Sequence, residues 1–347
     1  MAVANYNRKI LDLKRWTMLT TPAPVAATAP AFVVSSRLAQ QRQLYMVSGT
    51  VHYLYYPFED AFIQIPSGAI AGTFVAGACG TSTAIGPSGT ATAGTTTTLT
   101  TNLTLARSLA GYRIEITAGP GAGDVRTIAY NTVGTNGVIT VTSAFSAAIT
   151  SSSVYRLITP RYYVLGTGTL AAGSFRVYDF ALNTWTSLSI TGLPATWGTE
   201  GKMIATPSYG DDGDELNFAT GTATAGAATT LTNGAKAWAT NQWANFQIKI
   251  VAGAGAGQIR TIASNTGTVI TVSAAWATNP DATSQYHIEG NDDFIYLMGN
   301  NAVTLYRYSI SGNTWATLTP GAARAAAPGL AASGHWVHSV TEDARWT

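Results

Sequence analysis

A twelve-residue phrase occurs twice in this chain, as GTATAGTTTTLT at 89–100 and as GTATAGAATTLT at 221–232. A stretch this poor in charge, written twice, points to a duplicated module, and the rest of the sequence must be organised around it. Extended in both directions, the copies align over 89–158 and 221–290. The first continues as YRIEITAGPGAGDVRTIAYNT and the second as FQIKIVAGAGAGQIRTIASNT. Both then reach an ITV strand (139–141 and 270–272) and finish near Tyr155 and Tyr286. The alternation in FQIKIVA and TVITVSA has the period of half-buried strands, and Gly-Ala-Gly and Asn-Thr-Gly mark turns. Each copy therefore reads as a small β module of about four or five short strands, with no helix. The glycine run AGAGAGQ (252–258) is followed by the strand IRTIAS and lacks the Lys-Ser/Thr of a phosphate loop, so it reads as a hairpin connection.

With both modules set aside, a second repeat appears. Tyr55 and Phe62, Tyr178 and Trp185, and Tyr308 and Trp315 each frame six residues, and after two more residues comes Ile or Leu. Upstream of each lies an apolar strand ending in glycine: LYMVSG to Gly49, YYVLG to Gly166 and IYLMG to Gly299. Trp16, in KRWTMLT, offers a fourth closing half. Trp16 and Phe62 are 46 residues apart; the later intervals are 53 and 60 once each 70-residue module is set aside. A four-stranded repeat of roughly 45–50 residues belongs to propeller blades. The indoles are expected to fill the wedge between blades, and Asn-Thr or Gly-Asn to make the turn before them.

The segment VYDFALNTWTSL (177–188), after a strand and glycine, resembles the kelch repeat, best matched at Tyr178, Asp179, Asn183, Thr184 and Trp185. The resemblance covers the chain outside the modules, and the double glycine of that repeat is reduced to one at Gly49, Gly166 and Gly299. It implies an all-β, kelch-like β-propeller with two homologous small β insert domains. The expected order is propeller at 1–88 with an arm at 1–15, insert at 89–158, propeller at 159–220, insert at 221–290 and propeller at 291–347. The 207 residues outside the inserts make four blades, with KRWTMLT and AAAPGLAASGHWVHSV (325–340) together completing one. An open arc completed by neighbouring subunits is the rival arrangement.

Composition narrows the function. Charged residues are only 10% and the net charge is +2, too little for a basic nucleic-acid face. The chargeless regions are broken by Gly, Pro and Ser and full of Thr, so no membrane insertion is expected. The segment MAVANYNRKILDLKRW lacks a secretory signal pattern. Cys79 is the single cysteine, which rules out an internal disulfide and gives it the default role of a small buried residue.

Chemistry-bearing residues are few. Asp211, Asp212, Asp214 and Glu215 form the densest acidic cluster, a weak Ca²⁺ candidate that Asn291, Asp292 and Asp293 could join; a solvated loop is the plainer reading. His335 and His338 are three apart, on opposite faces of a strand, and His52 and His287 lie in strand-like segments without obvious ligand partners. No nucleophile elbow is present and no cofactor is implied. Trp238, Trp243 and Trp276 match bulky residues near Leu105, Tyr112 and Phe145, which indicates a shared core; a sugar-stacking platform would require an exposed ring. Arg8, Lys9, Lys14 and Arg15 make a candidate docking arm, with a frayed terminus as its alternative.

Paired Gly/Thr-rich modules with AGxGAGxxRTI…NT…ITVS, grafted on kelch-like blades, resemble virion structural proteins of tailed bacteriophages. That resemblance implies a non-enzymatic exterior component (head decoration, collar or neck, or tail-associated fibre) assembled in the host cytoplasm. Its partners would be other virion proteins and copies of itself. A carbohydrate-binding adhesin that contacts a host-surface glycan is the alternative, and a propeller hydrolase or oxidase a more distant one. The two modules are expected to leave the hub as side lobes held apart.

Overall fold

A computed structural model describes residues 32–35, 44–48, 51–56, 61–65, 78–197, 201–205, 218–299 and 304–318. Every regular element among them is a strand. Three four-stranded antiparallel meanders carry the second repeat. The first is Phe32–Ser35, Leu44–Ser48, Val51–Tyr56 and Ala61–Ile65; the last is Gly201–Ala205, Phe294–Gly299, Leu305–Ser309 and Thr314–Leu318. The middle one uses the lower parts of two long strands, Cys79–Thr90 and Val154–Leu165, followed by Phe175–Asp179 and Thr184–Ser187. The first strands of the three meanders run next to one another. Trp16 and Gly49 lie outside the described residues.

The Tyr-x6-aromatic spacing is a hairpin register. Tyr55 faces Phe62, Tyr178 faces Trp185 and Tyr308 faces Trp315 across neighbouring strands. Ring centroids are 4.4, 5.2 and 5.1 Å apart, the contact distance of stacked or tilted aromatic pairs. Asn183 and Asn313 close their turns in the left-handed region, at φ 54° and 46°. Asparagine tolerates that conformation, and each amide oxygen accepts the hydroxyl of the motif tyrosine, at 2.5 Å from Tyr178 and 2.7 Å from Tyr308. Gly166 and Gly299 end second strands as expected; the Gly166 N–H donates to Ser174.

The indoles then join one meander to the next. Trp185 packs edge-on against His52 at 4.9 Å and 62°, and Trp315 meets Phe175 at 5.0 Å and 57°. His52 and Phe175 both stand three residues before a motif tyrosine, so the two contacts are equivalent. Trp315 also donates from Nε1 to Ser189 and from its backbone to Thr191, both beyond the middle meander. One apolar core joins Tyr45, Leu54, Tyr162 and Tyr178 to the first module, and a second joins Phe175, Tyr308 and Trp315.

Both modules have one topology. The second runs Ala219–Thr222, Gln285–Glu289, Gln247–Ala252, Ile259–Asn265, Val269–Val272, Thr230–Thr232 and Ala225–Ala227. The first repeats that order with the upper parts of Cys79–Thr90 and Val154–Leu165, then Arg113–Ala118, Val125–Asn131, Val138–Val141, Thr98–Thr100 and Ala93–Gly94. Seven strands in the shared order, with an added two-residue pair Thr104–Leu105 and Gly134–Thr135 in the first module, replace the four or five expected, because the Thr-rich phrase contributes two very short ones. Ile259–Asn265 pairs with Gln247–Ala252 through its first half and with Val269–Val272 through its second, with a register shift between Ile262 and Ser264. That bulge folds the sheet over Leu231, Ile248, Ile262, Ile270 and Trp276.

The side lobes are not held apart. The aligned strands Arg113–Ala118 and Gln247–Ala252 bring the modules together, because the face each turns away from its own core is turned towards its sister.

Candidate functional site

Among the described residues, the most densely charged buried region lies between the modules. In Arg113–Ala118, Ile114 and Ile116 enter the module core, so alternation puts Arg113, Glu115 and Thr117 on the other face; Ile248 and Ile250 do the same for Gln247, Lys249 and Val251. Glu115 and Lys249 occupy the same position of the duplicated phrase. Their side chains are 0% and 1% exposed and meet at 2.5 Å. Arg156, the cross-strand neighbour of Glu115, donates from Nε to its other oxygen at 2.5 Å. Asp292 lies 3.8 Å from the same guanidinium. Burial alone would raise the Glu115 carboxyl, but Arg156 and Lys249 together hold it below the usual value of 4.5.

The second module places His287 opposite Lys249, and the imidazole Nε2 is 3.1 Å from buried Glu289. The backbone comes equally close. A methyl on Gly123 would stand 3.2 Å from the Val251 oxygen and 3.7 Å from the Gly257 nitrogen. One on Gly257 would stand 2.9 Å from the Thr117 oxygen and 3.1 Å from the Gly123 nitrogen. Gly123 and Gly257, like Thr117 and Val251, are equivalent positions, so the contact has an approximate twofold character.

The rest of the repeated phrase is architectural. The three glycines of each hairpin have positive φ, 77°, 81° and 91° in the first and 77°, 80° and 86° in the second. Asp124 and Gln258 each accept the backbone N–H of the loop that follows the ITV strand, from Ser146 and Ala277. Arg126 and Arg260 donate to carbonyls of the same loop, Ala144 and Ala275. Asn131 and Asn265 clamp a preceding loop through Leu109 and Trp243. These bonds align Trp243 with Leu109 and Phe246 with Tyr112, correcting the match of Trp243 to Tyr112.

Trp243 and Trp276 are buried and Trp238 packs partly buried against the same core, so the three rings form no stacking platform. Asp293 accepts from Ser309 and Ser311, and Asn291 bonds Asn245, so these residues serve the junction with the last meander. Among the described residues no group of three or more His, Cys, Asp or Glu converges as metal ligands. Asp211, Asp212, Asp214, Glu215, Arg8, Lys9, Lys14, Arg15, His335 and His338 lie outside the described residues. Cys79 is buried, which pushes its thiol up to about 12, with Lys202 offsetting part of the rise. Among the described residues no helix is long and apolar enough to cross a membrane.

Sequence reasoning missed Glu115 and Lys249 because a charge on the polar face of a strand reads as solvated. The available signal was the opposite sign of the two residues at one aligned position. Chemically the cluster holds two sheets together: its acids and bases neutralise one another in a dry contact. Comparison with protein-family models, curated proteins and solved structures found no match to this chain.

Proposed function

We propose that this chain is a non-enzymatic structural component of a tailed-bacteriophage particle, a propeller hub that carries two β modules for contacts with other virion proteins and with copies of itself. The sequence resemblance supplies the class. The observation that carries the reading is the locked pair of modules, in which buried acids and bases meet one another across a module contact. Head decoration, collar or neck, and tail-associated fibre all fit such a hub. The three meanders joined by equivalent indole contacts support a propeller, whose fourth blade is assigned to the terminal segments. If the ring closes in that way, Trp16 is expected at Leu305, which stands three residues before Tyr308 as His52 and Phe175 stand before theirs.

Two measurements test this reading. An antibody raised against the purified chain should label the exterior of intact particles; absence of the chain from purified particles overturns the proposal. Trp16→Cys with Leu305→Cys should form a disulfide under mild oxidation if the ring closes as described, and no crosslink would reject that closure.

A further inference from the structure

We infer that the face built by the AGxGAG hairpin and the strand before it is a docking surface with a charge code. The basic module takes as partner a module bearing a carboxylate at the 115/249 position, so its partner is the sister in the same chain and not the identical module of a second chain. The backbone part of the contact does not discriminate. Gly123 approaches Val251 and Gly257, while Gly257 approaches Thr117 and Gly123, so the sets exchange when the copies exchange. A surface of that kind is self-complementary and would also accept an identical copy. The side chains remove the ambiguity. Lys249, almost wholly buried, takes its 2.5 Å ion pair from the other module. Two copies of the second module would place Lys249 against Lys249 in the same buried contact, while each Glu289 stays with its own His287. Two copies of the first module would place Glu115 against Glu115, each beside its own Arg156. Specificity of this sort rests on the wrong pairing being penalised as much as on the right one being favoured. In a particle many copies stand close together, and linkage within one chain alone does not protect against exchange of modules when local concentrations are comparable.

The test uses the full chain. Spin labels on cysteines introduced at the exposed positions Ser143 and Ala274 report the distance between modules, since the native Cys79 is buried. The native pair should give one narrow distance. E115K places three cations together and should move most of the population to a longer, broader distribution. The reversal E115K/K249E should bring most of it back. E115M/K249M should stay docked but lose its choice of partner, so that sedimentation shows dimers that grow with concentration beyond those of the native chain. A native distance in E115K, a reversal no better than the single variant, or a Met/Met chain that sediments as the native does at every concentration would each overturn the inference.

Discussion

Glu115 and Lys249 hold the same place in two sister modules and meet at 2.5 Å with at most 1% of either side chain exposed. Each is the polar residue of an alternating strand, and each is dry because the other covers it. Duplication thus produced a surface that satisfies itself inside one chain.

Glu115→Gln should destabilise the chain by about 3–5 kcal/mol, since it removes the carboxylate charge that both Lys249 and Arg156 meet in the buried contact. The acid limb of the stability curve supplies an independent check. The carboxyl titrates below its usual value of 4.5, so its contribution is complete above that pH and is lost as pH falls through the lower folded value. Urea unfolding between pH 6 and 3 should show the native chain losing more stability than the Gln variant; parallel curves would refute this assignment.

Gly257 serves two purposes, a left-handed hairpin position at φ 86° and a close approach to Gly123 of the sister. Gly121 has the same left-handed strain at φ 81°, but its nearest neighbours, Ile149 and Asp124, belong to its own module. Gly121→Ala should therefore cost about 1–2 kcal/mol from backbone conformation alone. Gly257→Ala should cost more and should also separate the modules, measured as faster hydrogen exchange in Arg113–Ala118 and Gln247–Ala252. Equal costs and equal exchange in both variants would contradict the contact.

His52 is buried beside Tyr45 and the Trp185 indole, and its imidazole shares a hydrogen bond with the Tyr45 hydroxyl. Burial, with a smaller push from Arg176, lowers it from 6.5 to about 4. The folded state thus prefers the neutral ring, so stability is fully present above pH 6.5 and declines as pH falls towards 4, by about 3 kcal/mol in all. His52→Phe, which copies Phe175 at the equivalent position, should flatten melting temperature between pH 7 and 4.5. A variant as pH-sensitive as the native chain would place the titration elsewhere.

What could be read in advance follows from how local each feature is. Tyr178 and Trp185 are joined by one short hairpin, so six intervening residues already encode their pairing. The duplicated phrase likewise encodes one topology twice. The module contact depends on how two long strands, Cys79–Thr90 and Val154–Leu165, and the later Gln285–Glu289 direct their sheets in space. Alternation says that Glu115 and Lys249 leave their own cores and is silent on what lies beyond. The strand count failed for a related reason: Ala93–Gly94 and Ala225–Ala227 are too short to show a period.

Asn313 links the hairpin to the neighbouring meander, and its replacement separates the two parts. Its φ of 46° is costly for alanine, and its amide oxygen accepts both the Tyr308 hydroxyl at 2.7 Å and the Ser189 N–H at 2.8 Å. Asn313→Ala should lose about 1–2 kcal/mol from the left-handed turn and about 1 kcal/mol for each bond. Asn313→Gly relieves the turn and leaves both donors unmet, so it should recover roughly the first share only. Asn313→Asp keeps an acceptor and should recover most of the second. Chemical denaturation of the three variants orders them Asp, Gly, Ala from most to least stable, and a glycine variant as stable as the native chain would show that the bonds to Tyr308 and Ser189 contribute nothing.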